Sequence, residues 1–173
     1  MEQAAVPSTV REERLAQWIS DYSDDLLRTC FLYLMDRHLA QDALQDTFLK
    51  AWKSMAQFES RQIQSEKAWL LRIAINVSKD YRRGKWFRHM DLAHELDALP
   101  PRLVSVEMED RALTMDVCAL PDKLKQVILL YYYQNLSLQE TADALGIPKG
   151  TAYKRLKKAE QTLRAGLTGG EDA

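Results

Sequence analysis

Asn135-Leu-Ser-Leu-Gln-Glu-Thr-Ala-Asp-Ala-Leu-Gly146-Ile-Pro-Lys-Gly150-Thr-Ala-Tyr-Lys-Arg155-Leu-Lys-Lys158 is the stretch from which the rest of the chain is read. Ser137 and Glu140 stand as S-x-x-E, a capping box that predicts a helix start near Leu138. Gly146 takes the left-handed conformation that stops a helix, and Pro148 suits the first turn of a second one. Ala152, Leu156, Ala159 and Leu163 then recur at helical spacing and give that second helix an apolar face. Two helices joined by a tight Gly-containing turn form a helix-turn-helix, with small Ala142 where they meet. Off the apolar face the second helix carries Lys149, Thr151, Tyr153, Lys154, Arg155, Lys157 and Lys158, a surface suited to a DNA major groove. A plain helical hairpin with a solvated basic face is the simpler alternative. Caps, turn and charge agree on the DNA-binding reading.

The chain has 173 residues, 46% hydrophobic and 28% charged, which places it among globular rather than disordered sequences. Net charge is only −1, so a nucleic-acid binder must segregate its charge, and this one does. Positions 72–88 carry +5, positions 91–122 carry −6 and positions 149–164 carry +5. Two basic blocks around an acidic one fit two nucleic-acid contacts and a spacer. No apolar run reaches membrane-span length and no signal-peptide core is present, so a cytoplasmic protein without direct membrane insertion is expected. Cys30 and Cys118 show no metal spacing and read as buried thiols. His38, His89 and His94 form no ligand set, and no phosphate loop, nucleophile elbow or H-E-x-x-H occurs. The expectation is a non-enzyme with no cofactor, no metal and no small-molecule substrate.

In chain order, the pattern predicts a helix over about 10–20 with Leu15, Trp18 and Ile19 on one side. The acidic run Asp21–Asp25 would cap a second helix burying Leu26, Leu27, Cys30, Phe31 and Leu34. A third helix over about 39–57 has the stripe Ala40, Ala43, Leu44, Thr47, Phe48, Ala51 and Met55, leaving Gln45, Asp46, Lys50 and Lys53 outside. Positions 58–64 lack a helical period. Ser65 would cap a fourth helix from Glu66, with Trp69, Leu70, Ile73, Ala74, Val77 and Tyr81 inward and Arg72, Asn76, Lys79 and Arg83 opposite. Arg82, Arg83, Lys85 and Arg88 with Trp86 and Phe87 then crowd its end. Cations beside stacking platforms suit unpaired bases, beyond what the helix dipole alone favours. Positions 90–110 are acidic, contain Pro100-Pro101 and read as a flexible linker with little to bury. Helices over 111–119 and from Pro121 onward precede the helix-turn-helix, with a left-handed cap expected at Asn135.

These motifs, in this order, resemble the extracytoplasmic-function (ECF) sigma factors, the smallest type in the primary-sigma superfamily. Asp42-Ala-Leu-Gln-Asp-Thr-Phe-Leu-Lys50 resembles the family helix that grips the polymerase clamp. Trp69-Leu-Leu-Arg-Ile-Ala-Ile-Asn76 with Val-Ser-Lys-Asp80-Tyr-Arg-Arg83 resembles the helix that opens and reads the downstream promoter element. Leu120-Pro121, Leu136-Ser137, Leu145 to Thr151 and Arg155-Leu156 resemble the domain that reads the upstream element. The family pattern after Gly-Thr is usually Val-Lys-Ser-Arg, whereas this chain has Ala152-Tyr153-Lys154-Arg155.

The resemblance implies an all-α protein of two small helical domains, over 9–85 and 111–167, joined by a linker over 86–110. It implies polymerase contact through Asp42, Gln45, Asp46, Phe48 and Lys50. Downstream-element contact would fall to Arg61, Arg72, Asn76, Lys79, Arg82, Arg83 and Trp86. Upstream-element contact would fall to Lys149, Thr151, Tyr153, Lys154, Arg155 and Lys158. The partners implied are RNA polymerase core, promoter DNA and an anti-sigma factor. The alternative is a helix-turn-helix regulator that binds duplex DNA and never touches polymerase; it leaves the 42–50 helix without a purpose.

Overall fold

The computed structural model describes residues 7–61, 65–84 and 91–168. Nine α-helices and no strand are found among the described residues.

Helix α1 runs unbroken over Ser8–Leu34, where the sequence pattern predicts two helices. The acidic run does not interrupt it, because its carboxylates have partners. Asp21 accepts from Gln17 Nε2 at 2.9 Å, and Asp25 pairs with Arg28 at 2.9 Å and Lys67 at 3.4 Å. Asp24 pairs with Arg102. Met35, in the left-handed region at φ 56°, ends α1, and Asp36 caps α2 (Arg37–Lys53) by accepting from the His38 and Leu39 amides. That helix stops at Ser54, short of the expected Gln57, and α3 (Met55–Ser60) follows it. Helix α3 buries Met55 and Phe58, so the start of the expected aperiodic loop is helical; positions 62–64 lie outside the described residues. Phe58 joins Trp18 and Trp69, with ring centroids 5.0–5.5 Å apart. Ser65 caps α4 (Glu66–Arg83) by accepting from the Ala68 amide, as expected. Helices α1, α2 and α4 form the first lobe, with Leu26, Phe31, Ala40, Ala43, Leu70 and Ala74 among its buried side chains. Ile19 is the exception to the expected α1 face: it is 44% exposed.

The connection carries more structure than its weak periodicity indicates. It contains α5 (Leu92–Asp97) and 3₁₀ turns at Pro101–Leu103 and Val106–Met108. Contrary to the expectation of little to bury, Glu95, Leu99, Leu103 and Met108 are all buried. The Glu95 carboxylate accepts from the Arg37 amide at 3.0 Å and Arg37 Nε at 3.1 Å, and Arg28 Nε donates to the Leu103 carbonyl at 2.7 Å.

The second lobe comprises α6 (Arg111–Cys118), α7 (Asp122–Ile128), α8 (Leu138–Leu145) and α9 (Lys149–Thr168). A π-type turn over Leu129–Tyr133 extends α7, and Asn135 takes the expected left-handed conformation at φ 55°. The two lobes share one continuous apolar core. Helix α8 lies against α4. Fully buried Lys125 donates from Nζ to the Tyr33 carbonyl at 3.0 Å, Gln126 Nε2 donates to Tyr33 Oη at 3.3 Å, and Gln134 Nε2 donates to Thr29 Oγ1 at 2.9 Å. Cys30 and Cys118 are buried, and burial pushes each thiol up to about 11. Among the described residues no cluster of three potential metal ligands occurs, and no helix is long and apolar enough to cross a membrane.

Candidate nucleic-acid and polymerase interfaces

The helix-turn-helix forms as its residues dictate. Ser137 Oγ accepts from the Glu140 amide at 3.1 Å, and Glu140 Oε2 accepts from the Ser137 amide at 2.8 Å. Gly146 sits at φ 65°, and the Ile147 amide donates back to the Ala142 carbonyl at 3.0 Å. Ala142 is buried at the crossing, and Ala152, Leu156 and Ala159 bury one face of α9. The opposite face presents Lys149, Tyr153, Lys154 and Lys158 to solvent. Thr151 and Arg155 are half-buried. Lys157 lies over the Tyr153 ring, 5.5 Å from its centroid, and pairs with Glu160 at 3.4 Å. Tyr132 Oη also donates to Glu160 at 2.6 Å, and that bond, ahead of Lys157 and Arg164, holds the carboxyl below its ordinary value.

On α4, Arg72, Asn76 and Arg83 are exposed along one side, and Arg61 is exposed just after α3. Lys79 is half-buried, and burial, then Arg83 and Arg155, pulls its ammonium below the ordinary lysine value. Arg82 faces the second lobe: Nη1 donates to the Tyr33 carbonyl at 3.2 Å, and Nε pairs with Asp122 at 3.2 Å. Trp86, with Lys85, Phe87 and Arg88, lies outside the described residues.

On α2, Asp42, Gln45 and Lys50 are exposed, and Lys50 Nζ is 3.8 Å from Asp80 on α4. Asp46 is half-buried instead of free, because Tyr81 Oη donates to it at 2.6 Å. Phe48 is buried, so it orders the helix from below and offers little surface of its own. Its ring also lines an apolar groove of about 480 Å³ with Leu15, Ile19, Leu49 and Trp52. Leu49 is 50% exposed on the rim of this groove, and its one signal in the sequence is a leucine falling off the buried α2 stripe.

A helix-turn-helix lobe joined to a second helical lobe with its own basic helix and a separate polar face defines a two-lobed DNA-binding transcription protein. The family model for Sigma-70 region 2 matches residues 18–88, and that for Sigma-70, region 4 matches 119–165. The ECF RNA polymerase sigma factor SigL of Mycobacterium tuberculosis is 32% identical over 136 residues, covering 76% of each chain. SigW of Bacillus subtilis, also an ECF RNA polymerase sigma factor, is 29% identical over 171 residues, covering 90% of each. The solved sigma factor RpoE of Bartonella quintana, in complex with the anti-sigma factor NepR, superposes with a TM-score of 0.67 at 21% identity. That superposition covers 90% of this chain and 98% of RpoE, a likeness of fold. The chain belongs to the ECF RNA polymerase sigma factors, and it is an alternative sigma factor that directs transcription initiation.

Proposed function

We propose that the two lobes divide the work of initiation, with the first over 9–85, the second over 111–167 and the connection over 86–110. The exposed α2 face of Asp42, Gln45 and Lys50, with Asp46 at its edge, holds the polymerase core. On α4, Asn76 offers both a donor and an acceptor to a base leaving the stack, while Arg61, Arg72, Lys79, Arg82 and Arg83 hold the strand, a role that the sequence also assigns to Trp86. Unstacking costs about a few kcal/mol per base, so a pocket that offsets this for one base alone supplies sequence preference. Lys149 and Lys158 position α9 through phosphates, and Thr151, Tyr153, Lys154 and Arg155 face the base edges of the upstream element.

The chain makes and breaks no covalent bond in this role and works in the cytoplasm. An anti-sigma factor is a fitting partner, since a solved relative is held by one. The observation that carries the reading is the exposed polar face of α2, a helix that packs against the basic α4 and is no part of the helix-turn-helix. A DNA-only regulator has no use for that face. Purified protein added to sigma-free polymerase core should support run-off transcription from a matched promoter. Binding to duplex DNA without any transcript would overturn the proposal.

A further inference from the structure

Between the lobes lies a cleft of about 380 Å³, within the size range of small-molecule sites, with Lys79, Arg82, Arg83, Asp122, Lys123 and Arg155 in its lining. Five of these carry a positive charge and one a negative charge. The cations come from both lobes: Lys79, Arg82 and Arg83 from α4, Lys123 from α7 and Arg155 from α9. Asp122 pairs with Arg82 at 3.2 Å, which leaves four cations facing the same space. Like charges gathered across a docking seam oppose the docking, yet buried hydrogen bonds from Lys125, Gln126 and Gln134 hold the seam closed around them. A compact anion of several charges would turn that repulsion into attraction from both sides at once.

We infer that this cleft binds the phosphate chain of a small oligophosphate, bridging α4 to α7 and α9 and holding the lobes together. The cleft is too small for a duplex, and its lysines and arginines supply the charged donors that phosphate oxygens accept. A ligand that contacts both lobes binds the docked state and not the separated one, so it shifts the population towards docking. Lys79, Arg83 and Arg155 are then occupied, and promoter DNA competes for them.

The test needs neither polymerase nor promoter, so its failure is separate from any failure of the initiation reading. Full-length protein is titrated calorimetrically with sodium tripolyphosphate at physiological salt. One site per chain is expected. Lys123→Gln should weaken binding at least tenfold, while Lys53→Gln and Lys157→Gln, which remove exposed cations outside the cleft, should change it less than twofold. Donor and acceptor dyes, one on each lobe, should report a smaller separated fraction as tripolyphosphate is added. Equal affinity for ATP and tripolyphosphate supports a site for the phosphate chain alone, and tenfold tighter ATP supports the same site used by a nucleotide. Several weak sites per chain, or equal losses in Lys123→Gln and Lys53→Gln, would show surface counter-ion binding and overturn the inference.

Discussion

Asp46 shows how a neighbour distant in sequence changes the part a side chain plays. Its stripe position made it a free contact residue, but the hydroxyl of Tyr81, 35 residues away, donates to it at 2.6 Å. Asp46→Arg should therefore lower both core affinity and thermal stability, the latter by about 1–3 kcal/mol for a broken charged hydrogen bond. Asp42→Arg, at an exposed position, should lower core affinity with stability changed by under about 0.5 kcal/mol. Paired melting curves and core pull-downs check both; unchanged core binding in Asp42→Arg would remove this face from the interface. Lys125 has a different consequence. Burial pulls its ammonium down to about 8 in the folded chain, against an ordinary 10.5. Between those values the unfolded chain holds a proton that the folded chain has released, so this contribution to stability rises with pH. Cys30 and Cys118 act in the opposite sense from about pH 9, since the folded chain keeps their protons up to about 11. The difference in stability between the wild type and Lys125→Met cancels Cys30 and leaves of Cys118 only its attraction to the Lys125 ammonium, which acts in the same direction as Lys125 itself. That difference should move in favour of the wild type as pH rises from about 8 to 10, read by chemical denaturation at each pH.

At the scale of elements, local signals were legible and tertiary ones were not. The capping box, the Gly146 turn and the Ser65 cap are each written in a few consecutive residues, and each forms as read. The sequence of α1 reads as two helices because three aspartates near its middle, Asp21, Asp24 and Asp25, resemble a cap. Lys67 and Arg102, far along the chain, neutralise two of them within one helix. The anchors Leu99, Leu103 and Met108 follow no period, so the connection looked featureless. The candidate site divides in the same way. Both basic helices were legible, whereas the turning of Arg82 and Arg155 towards the lobe junction depends on docking that no local pattern encodes. Two predictions belong to this scale. Gly146→Ala meets no atom within 4 Å, so its cost is the left-handed backbone alone, about 1–2 kcal/mol, visible as a lowered Tm with DNA specificity unchanged. Arg155→Ala should change the preferred upstream base by about 1–3 kcal/mol, while Lys158→Ala should weaken all sequences alike and make the salt slope shallower by about 1. Binding titrations on a promoter library at two salt concentrations separate the two outcomes.

For the whole molecule, the sequence pattern suggested two independent lobes on a loose tether, whereas the structure has them docked through a shared core. A cleavable site inserted at Pro100 should thus give fragments that still co-elute at micromolar concentration in size exclusion, because Lys125 and Gln134 keep their partners on α1. Prompt separation on cleavage would mean that the seam contributes little. The connection also sets how far the lobes reach. Leu103 is seated on the first lobe, where Arg28 holds its carbonyl, and Met108 sits on the second, where Thr114 Oγ1 donates to its carbonyl. Only four residues lie between them, so with both seated the lobes part by at most about 17 Å, roughly half of one DNA turn. Once Leu99, Leu103 and Glu95 come away from α1 and α2, the stretch from 91 to 108 alone can span roughly 60 Å. The connection is therefore built like a spool with a catch: while Leu103 and Met108 stay seated the lobes stay close, and their separation grows only after the catch slips. Leu103→Asp, which spoils that seat, should broaden the element spacing that the protein tolerates in transcription assays.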